Sequence, residues 1–481
     1  MEIRTEQFVE IAKKELKNAR NKQFLSVLPL AITISRPRSM QSFPDPEAAN
    51  EYGRAVRAEA VAGMPELLEE FEKNALANGA KIVWAKTAEE ANAFVLNLAK
   101  ERGIQYVTKG KSMITEEMGL NDVLQESGIE PFESDLGEFI AQQLHKPPFH
   151  IVGPALNIPV EEISDLFIAK ADMKEPTTDP VKLGYAARLY LRDKFHHLAM
   201  GITGVNMAVA ETGSIINVEN EGNIRMNKSS PKIQVSIMSL EKVVPTMADA
   251  MHMIRLLCRN CTGQKLSAYI SIDSGPKKSD EVDGPEELYI IILDNGRSEI
   301  YQDIQAREAL RCIRCGACLA ACPVYCKIGG YPYGWAYSGP MGQVLNPLLL
   351  GLEKTQDLYH ACTLCGACKS ICPAGIDHPK MFLYYRVQEA NSDKKAAGGF
   401  ITNKTAKFFD LWRWGTTRAW RWKMAVKTAR PFVNRYAKDG TINKTIKPVE
   451  GWFRTRNLPA MARKTFHERW AEINKKVTSD Q

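Results

Sequence analysis

Hydrophobic and polar residues alternate with two different periods between residues 61 and 300. Apolar residues spaced three or four positions apart predict amphipathic helices over residues 64–78 and 87–102. Short apolar runs predict buried strands at residues 81–85 and 104–107, on either side of the second helix. Strands and helices that alternate at this spacing predict an α/β domain with a largely parallel sheet.

The same pattern continues to residue 293, and a helical segment precedes it. Phe8, Ile11 and Leu16 share one face of a helix that begins near Thr5, which predicts an N-terminal helical arm. Further apolar stretches predict a helix at residues 160–172 and strands at residues 150–153, 207–210, 214–218, 233–237 and 288–293.

Cysteine motifs replace the strand pattern after about residue 301. Two such motifs lie on helical sequence, and a loop rich in Gly, Pro and Tyr separates them. We therefore expect four segments, which are an N-terminal helical arm (1–60), an α/β domain (61–300), a helical two-cluster module (301–385) and a basic, Trp-rich C-terminal region (386–481).

The two cysteine motifs are copies of one pattern, C-x2-C-x2-C-x3-C-P. Three thiolates this close in sequence can bind three corners of one 4Fe–4S cluster, while the fourth cysteine reaches the other cluster. Zinc is the alternative, but zinc sites usually combine two separated cysteine pairs. The spacing therefore predicts two 4Fe–4S clusters, the first bound by Cys312, Cys315, Cys318 and Cys372 and the second by Cys362, Cys365, Cys368 and Cys322.

Three of the eleven cysteines lie outside the repeat. Cys258 and Cys261 are three residues apart on a predicted helix and form a potential metal-binding pair, but no second pair accompanies them. Cys326 follows Cys322 by four residues, which favours packing near a cluster. We expect all three to be structural thiols, with no role assigned by the sequence.

Composition places the chain among soluble globular proteins and reveals a charge asymmetry. Of its 481 residues, 44% are hydrophobic and 25% are charged, which excludes a disordered, collagen-like or mainly membrane-embedded protein. No secretory signal is recognised and no uncharged run is long enough to span a bilayer, so a reducing cytoplasmic location is expected. The net charge of +7 combines a body of −6 with +13 in residues 401–481, where 19 residues are basic and 6 acidic.

The basic C-terminal region has two interpretations. It holds six of the eight tryptophans, and Trp with Lys and Arg is typical of helices that lie on an anionic membrane surface. The favoured alternative is an arm whose Trp rings pack against the cysteine module, or which meets an acidic partner. No motif supports nucleic-acid binding. The six tryptophans are Trp412, Trp414, Trp420, Trp422, Trp452 and Trp470.

Cofactor motifs of other kinds are missing from the α/β sequence. Residues 109–112 end like a phosphate-binding loop, but Gln105 stands where its first glycine is required. No Gly-rich dinucleotide fingerprint follows the first strand, so no flavin or NAD site is recognised. The carboxylates of Glu133, Asp135 and Glu138 precede a helix, where acidic residues commonly act as caps.

The stretch of residues 201–223 is the most informative part of the α/β sequence. Two turns rich in Gly, Asn and Glu flank a hairpin-like pair of strands, and glycines there permit close approach of a ligand. Asn206 and Glu211 are weak candidates for anion binding or acid–base chemistry, although turn formation explains much of the pattern. His196 and His197 are adjacent on a helix and cannot both face one metal.

Together these segments resemble the iron–sulfur protein B family of the three-protein L-lactate utilisation system, whose α/β part is the lactate-utilisation (LUD) domain. The likeness extends over nearly the whole chain in the correct order. It is carried by residues 133–144, 150–155, 201–223, 231–246, 309–325, 328–330, 362–373 and 451–459.

The resemblance implies a fold and a function. The fold is a LUD domain related to the sugar-phosphate isomerase and CoA-transferase group, followed by the helical ferredoxin-type module and a helical basic tail. The function is electron transfer within a complex that oxidises L-lactate to pyruvate, as an oxidoreductase subunit with two partners, a cysteine-rich redox protein and a second LUD protein. The alternatives are service to another dehydrogenase or a quinone-linked chain, and a regulatory LUD protein that senses a small ligand.

Overall fold

Two sheets organise the α/β region of the computed structural model, which describes residues 2–391, 403–442, 453 and 456–479. The strands of this region are β1 (Lys81–Ala85), β2 (Tyr106–Lys109), β3 (Glu130–Glu133), β4 (Met200–Gly204), β5 (Met207–Val209), β6 (Ser214–Glu219), β7 (Ile233–Ser239), β8 (Val243–Val244), β9 (Tyr269–Asp273) and β10 (Glu287–Leu293).

The main sheet is entirely parallel, with the strand order β1-β10-β7-β4-β2-β3. Its central strand β10 is almost continuously apolar, because a parallel sheet is covered on both faces. The neighbouring strand β7 is buried throughout, although Gln234, Ser236 and Ser239 are polar. Tyr289 and Ile291 face one hydrophobic core, and Ile290 and Ile292 face another. The second sheet, β8-β5-β6-β9, contains the antiparallel hairpin β5–β6.

Helices flank the main sheet and follow its strands. Thr87 begins one of them by accepting a hydrogen bond from the Glu90 amide, as the threonine in the sequence predicts. The helices up to residue 302 are α1 (Phe8–Glu15), α2 (Ala19–Leu30), α3 (Arg36–Met40), α4 (Pro46–Ala62), α5 (Met64–Ala77), α6 (Ala88–Glu101), α7 (Met113–Met118), α8 (Leu120–Glu126), α9 (Leu136–Gln143), α10 (Val160–Lys170), α11 (Pro180–His196), α12 (Asn223–Ser229), α13 (Met247–Cys261) and α14 (Arg297–Gln302).

Short helices carry the cysteine motifs and pack against one face of the main sheet. Val344, Phe382 and Tyr385 belong to the same hydrophobic core as Ile290 and Ile292 of β10. The helices of this module are α15 (Ala317–Ala321), α16 (Tyr325–Ile328), α17 (Gly339–Leu350), α18 (Gln356–His360), α19 (Ala367–Ile371) and α20 (His378–Asn391).

The N-terminal segment is built into the same body. Phe8 and Leu25 are buried in a core that also contains Leu319 and Tyr325 of the cysteine module. The buried guanidinium of Arg57 donates to four main-chain carbonyls, those of Glu241, Val243, Leu310 and Arg311. Residues Met1–Ala396 accordingly form one compact unit, in which the first three predicted segments share cores.

A second unit comprises residues Ala397–Gln481. Its helices are α21 (Asn403–Thr416), α22 (Ala419–Asn434) and α23 (Phe466–Ser479), and its short strands β11 (Ala437–Lys438), β12 (Thr441–Ile442) and β13 (Leu458–Pro459) are antiparallel. Trp452, and with it part of the segment 451–459, lies outside the described residues. Within the described ranges, no helix is both long and apolar enough to cross a membrane.

The predicted elements agree with the structure except in three places. Residues 150–153 were predicted as a strand but form turns, because the Phe149 amide donates to the Pro154 carbonyl and the Val152 amide donates to the His150 ring. The strand predicted at residues 104–107 begins two residues later. The pattern also missed β3, β4, β8 and β9, which are all five residues or shorter.

Candidate metal centres and adjoining cavity

Four thiols from both cysteine motifs surround one cavity. They are those of Cys312, Cys315, Cys318 and Cys372, and Tyr337 and Met341 complete the wall. Burial raises the pKa of the Cys315 thiol, and the nearby Cys372 and Cys312 raise it further. Thiolates are disfavoured in such a place unless a metal supplies positive charge, so these thiols fit an iron–sulfur cluster.

The other four thiols, Cys322, Cys362, Cys365 and Cys368, form a second group. Burial raises the pKa of Cys368 to about 12, and Cys322 and Cys362 add to the effect. Burial likewise raises the pKa of Cys322, with Cys362 and Cys365 as further causes. Cys365 is exposed, whereas the Cys315 and Cys372 residues of the first group are each 8% exposed.

Both motifs adopt the same backbone turns. Arg314 and Leu364, which precede the second cysteine of each copy, have φ angles of +60° and +57°. Gly316 and Gly366, which follow it, have φ angles of +73° and +79°. A non-glycine residue with positive φ is uncommon, and here it reverses the chain so that three thiols converge.

Main-chain amides point at the sulfur atoms of both groups. The Arg314 amide lies 3.4 Å from Cys312 Sγ, and the Leu364 amide lies 3.2 Å from Cys362 Sγ. The fourth cysteine of each motif also receives a main-chain amide. The Tyr325 amide lies 3.5 Å from Cys322 Sγ, and the Ile376 amide lies 3.5 Å from Cys372 Sγ. Amides that donate to cluster sulfurs are a common means of stabilising an iron–sulfur centre.

A larger cavity opens at the carboxyl ends of the central parallel strands. The chain leaves β2 towards β3 and leaves β4 in the opposite direction, and ligands commonly bind at such a switch point. The cavity has a volume of about 280 Å³. Its polar lining comes from segments that follow several strands and includes Lys111, Ser112, Asn206, Asn217, Ser239 and Lys242.

This cavity adjoins the first cysteine group. Ile151, Arg314 and Tyr337 line both spaces, so they form a shared wall. Gly204 at the end of β4 allows the close approach of Ser112, whose Oγ lies 2.3 Å from where a Cβ would stand.

A chain of buried ion pairs runs along the same wall. Arg297 lies 2.7 Å from Glu117 and 3.0 Å from Glu241, and Arg314 lies 2.9 Å from the other Glu241 oxygen. Burial would raise the pKa of Glu241, but Arg297 and Arg314 lower it to about 2. Burial lowers the pKa of Lys242 to about 8, with Arg314 as a further cause.

The acidic residues that were predicted to cap a helix have two different roles. Asp135 caps α9 by accepting from the Glu138 amide at 3.0 Å, as predicted. Glu133 instead pairs with the fully buried Lys109 at 2.8 Å, and Glu116 pairs with it at 3.0 Å. Burial would lower the pKa of Lys109, but these two carboxylates raise it. The pairing of Lys109 with Glu133 was not predicted, because the two residues meet through the β2–β3 register.

The two weak acid–base candidates lie in different environments. Asn206 lines the cavity, and its Oδ1 accepts from the Val218 amide at 2.9 Å. Glu211 is exposed and accepts from the Met247 amide at 3.0 Å, at the beginning of α13. His196 and His197 are exposed near the end of α11.

The three additional cysteines lie near the two groups. Cys258 and Cys261 lie on α13, as predicted, and line the large cavity. Burial raises the pKa of Cys261 to about 11, and Cys261 in turn raises the pKa of Cys315. Cys326 packs against the Ala320 carbonyl at 3.4 Å.

Comparison with known proteins matches two segments of the larger unit to known domain families. Residues 68–293 match the LUD domain, and residues 308–376 match the 4Fe-4S dicluster domain. These matches confirm the predicted fold class and identify the cysteine module as an iron–sulfur domain. A crystal structure of a DUF162 family protein from Deinococcus radiodurans resembles 48% of this chain and 98% of its own, at 15% identity and a TM-score of 0.27.

Full-length relatives carry the comparison further. The chain is 38% identical over 430 residues to lactate utilization protein B of Bacillus cytotoxicus, covering 89% of each chain. It is 39% identical over 423 residues to lactate utilization protein B of Bacillus pumilus, covering 88% of each chain. At this identity and coverage, the chain belongs to the lactate utilization protein B family.

Proposed function

We propose that this chain is the iron–sulfur electron-transfer subunit of a complex that oxidises L-lactate to pyruvate. The observation that carries the proposal is the gathering of eight cysteine thiols into two groups, the first of which adjoins the LUD cavity. The identity of the substrate, lactate, is inferred from the names of the full-length relatives. The chain serves as an oxidoreductase subunit and is not a complete enzyme alone.

The ligand sets of the proposal are those that the spacing predicts. Cys312, Cys315, Cys318 and Cys372 hold one 4Fe–4S cluster, and Cys322, Cys362, Cys365 and Cys368 hold the other. When bound, such a cluster accepts and donates one electron at a time. Two sets of ligands match the two electrons that leave L-lactate when it becomes pyruvate.

The protein environment gives the two sites different tasks. Tyr337 and Met341 shield the first site from water and leave it facing the LUD cavity. Cys365 is exposed, so the second site is the one that a redox partner reaches. We propose that the partners are two other lactate-utilisation proteins, a cysteine-rich redox protein and a second LUD protein.

Anaerobic purification of the assembled complex tests this function. We expect L-lactate to produce the EPR signal of reduced clusters in the wild-type complex, and Cys365→Ser to abolish lactate oxidation. A Cys365→Ser complex that has lost its cluster but oxidises lactate at the wild-type rate would overturn the proposal.

We also propose that the second unit lies on an anionic membrane surface at the inner face of the cell membrane. Trp412, Trp414, Trp420 and Trp422 are between 44% and 57% exposed, although Trp side chains are usually well buried. Basic residues accompany them on α22, and Arg421 lies 4.4 Å from the Trp414 ring centroid. Exposed Trp together with basic residues suits the interface of an anionic bilayer.

Flotation of the full chain with liposomes tests this location. We expect binding to vesicles that contain phosphatidylglycerol, no binding to phosphatidylcholine vesicles, and a loss of binding after Trp414→Ser with Trp420→Ser. Tyr185→Ser, which removes an exposed aromatic residue from the other unit, is the matched control. Equal flotation of the double variant and the wild type would contradict the proposal.

A further inference from the structure

We propose that the cavity at the carboxyl ends of β2, β4 and β7 binds a small 2-hydroxycarboxylate, so that this chain itself carries the substrate-binding site. The inference rests on the proposed function only for the identity of the acid, L-lactate. The cavity, its charges and its hydrogen-bonding groups are properties of the chain.

The position of the cavity favours a reactive site over a surface cleft. Ile151, Arg314 and Tyr337 separate it from the space that Cys312, Cys315 and their partners surround. A ligand in the cavity therefore lies one layer of side chains from the first cysteine group. Electron transfer between a substrate and a cluster requires such proximity.

Lys242 supplies a cation for a carboxylate. It ends the short 3₁₀ turn that follows β7 and lines the cavity, and no hydrogen bond or salt bridge joins its ammonium to another residue in the described part of the chain. The neighbouring cation, Arg314, is already paired with Glu241. An ammonium group without a partner in a partly enclosed space favours an anionic ligand.

Asn217 supplies an acceptor for a hydroxyl group. Its Nδ2 donates to the Gly204 carbonyl at 2.6 Å, while its Oδ1 is buried without a hydrogen-bond partner. The residue is only 2% exposed and lines the cavity. A buried acceptor of this kind is costly unless a donor reaches it, and the hydroxyl of a 2-hydroxycarboxylate is such a donor.

Acidic residues of the lining are engaged elsewhere. Glu219 accepts from the Ile224 and Arg225 amides, at 2.6 and 2.9 Å. Glu221 accepts from the Leu136 amide at 3.1 Å, and Asp135 caps the same helix. These carboxylates are therefore held by main-chain donors and leave Lys242 available to an anion.

The size of the cavity agrees with a small ligand. Its volume of about 280 Å³ is just below the range of about 300–1,000 Å³ that is typical of small-molecule sites. The loop after β2 lacks the Gly-rich sequence that a dinucleotide requires. A small organic acid with ordered water fits this space.

Equilibrium dialysis of the intact, cluster-loaded chain against L-[14C]lactate tests the site without requiring turnover. We expect saturable binding of one lactate per chain. Lys242→Gln should weaken it at least about tenfold, because a charge-assisted hydrogen bond is lost. Lys278→Gln, in an exposed loop, is the matched control and should bind as the wild type does.

A second pair of measurements tests the role of Asn217. The wild type should bind L-lactate about tenfold more tightly than propionate, which lacks the hydroxyl group, and Asn217→Ala should remove this preference. Circular dichroism and iron content verify that each variant is folded. Lys242→Arg, which keeps the charge, should retain most of the affinity.

Failure of this inference is distinguishable from failure of the proposed function. A wild-type chain that does not bind lactate, or a Lys242→Gln variant that binds it as tightly as the wild type, overturns the inference. If the assembled complex is nevertheless reduced by L-lactate, the electron-transfer function stands. Conversely, lactate binding without reduction of the complex supports the site and overturns the function.

Discussion

The two cysteine groups have the same sequence spacing and the same backbone turns but differ in their neighbours and in the exposure of one cysteine. The first lies against the LUD cavity, behind Tyr337 and Met341. The second exposes Cys365, and Leu364 beside it is 36% exposed. The comparison teaches that local spacing can gather the thiols, whereas the packing of distant elements decides which group adjoins the LUD cavity and which has an exposed cysteine.

The ion pairs near the two groups also differ in burial, and those near the first group are the more buried. Arg314, Glu241 and Arg297 form buried ion pairs beside the first group. Lys369, beside Cys368 of the second group, pairs with Asp377, and these side chains are 59% and 25% exposed. Buried ions are costly to leave without their partners, while exposed pairs are screened by water. The first site should therefore respond strongly to substitutions that leave the second almost unaffected.

Loss of one ligand from each group should give the largest difference. We expect Cys315→Ser and Cys365→Ser each to remove about half of the iron, because each disrupts one cluster. Cys315→Ser should also reduce the free energy of unfolding by about 4 kcal/mol or more, since loss of the cluster leaves an empty space inside the core. Iron analysis and thermal unfolding measure both effects, and equal destabilisation by the two variants would contradict the comparison.

Neutralising the buried carboxylate should have the next largest effect. Glu241→Gln leaves Arg297 and Arg314 without a shared counter-charge, and we expect it to cost about 3–5 kcal/mol in urea unfolding. Lys369→Gln, in the exposed pair, should leave stability unchanged within error. A comparable loss in both variants would show that burial does not distinguish the two surroundings.

The pH dependence of stability follows from the same carboxylate. Burial would raise the pKa of Glu241, but Arg297 and Arg314 lower it to about 2. Its unfolded value is about 4.3. The stabilisation is therefore complete above about pH 4.3 and is lost as the pH falls towards 2. The acid unfolding curve of Glu241→Gln should be flatter in that window than the wild-type curve.

Two equivalent glycines should give the smallest difference. Gly316→Ala and Gly366→Ala both place an alanine at positive φ, which costs about 1–2 kcal/mol. A Cβ at Gly316 lies 3.1 Å from Ile151 Cγ2, whereas at Gly366 nothing lies within 4 Å. Chemical unfolding should therefore show a greater loss for Gly316→Ala, and the reverse order would contradict the closer packing of the first site.

Sequence reasoning was strongest where the chemistry is local. Thr87 and Asp135 begin their helices as predicted, and the hairpin of β5 and β6 follows its turn residues. It failed at residues 150–153, where an apolar run is held as turns by side-chain and loop contacts. The pairing of Lys109 with Glu133 was also missed, because these residues of two strands meet through strand register.

The sequence by itself determined the family of this protein and the iron–sulfur character of its cysteine module. Thiols at fixed spacing can converge because a short peptide has few ways to turn. The repeat and the family that it indicates could therefore be recognised without a structure. Only the tertiary structure decided the surroundings of those thiols. Lys242, Asn217 and Arg314 come from separate segments, and their convergence on one cavity depends on strand order and packing that no local pattern encodes.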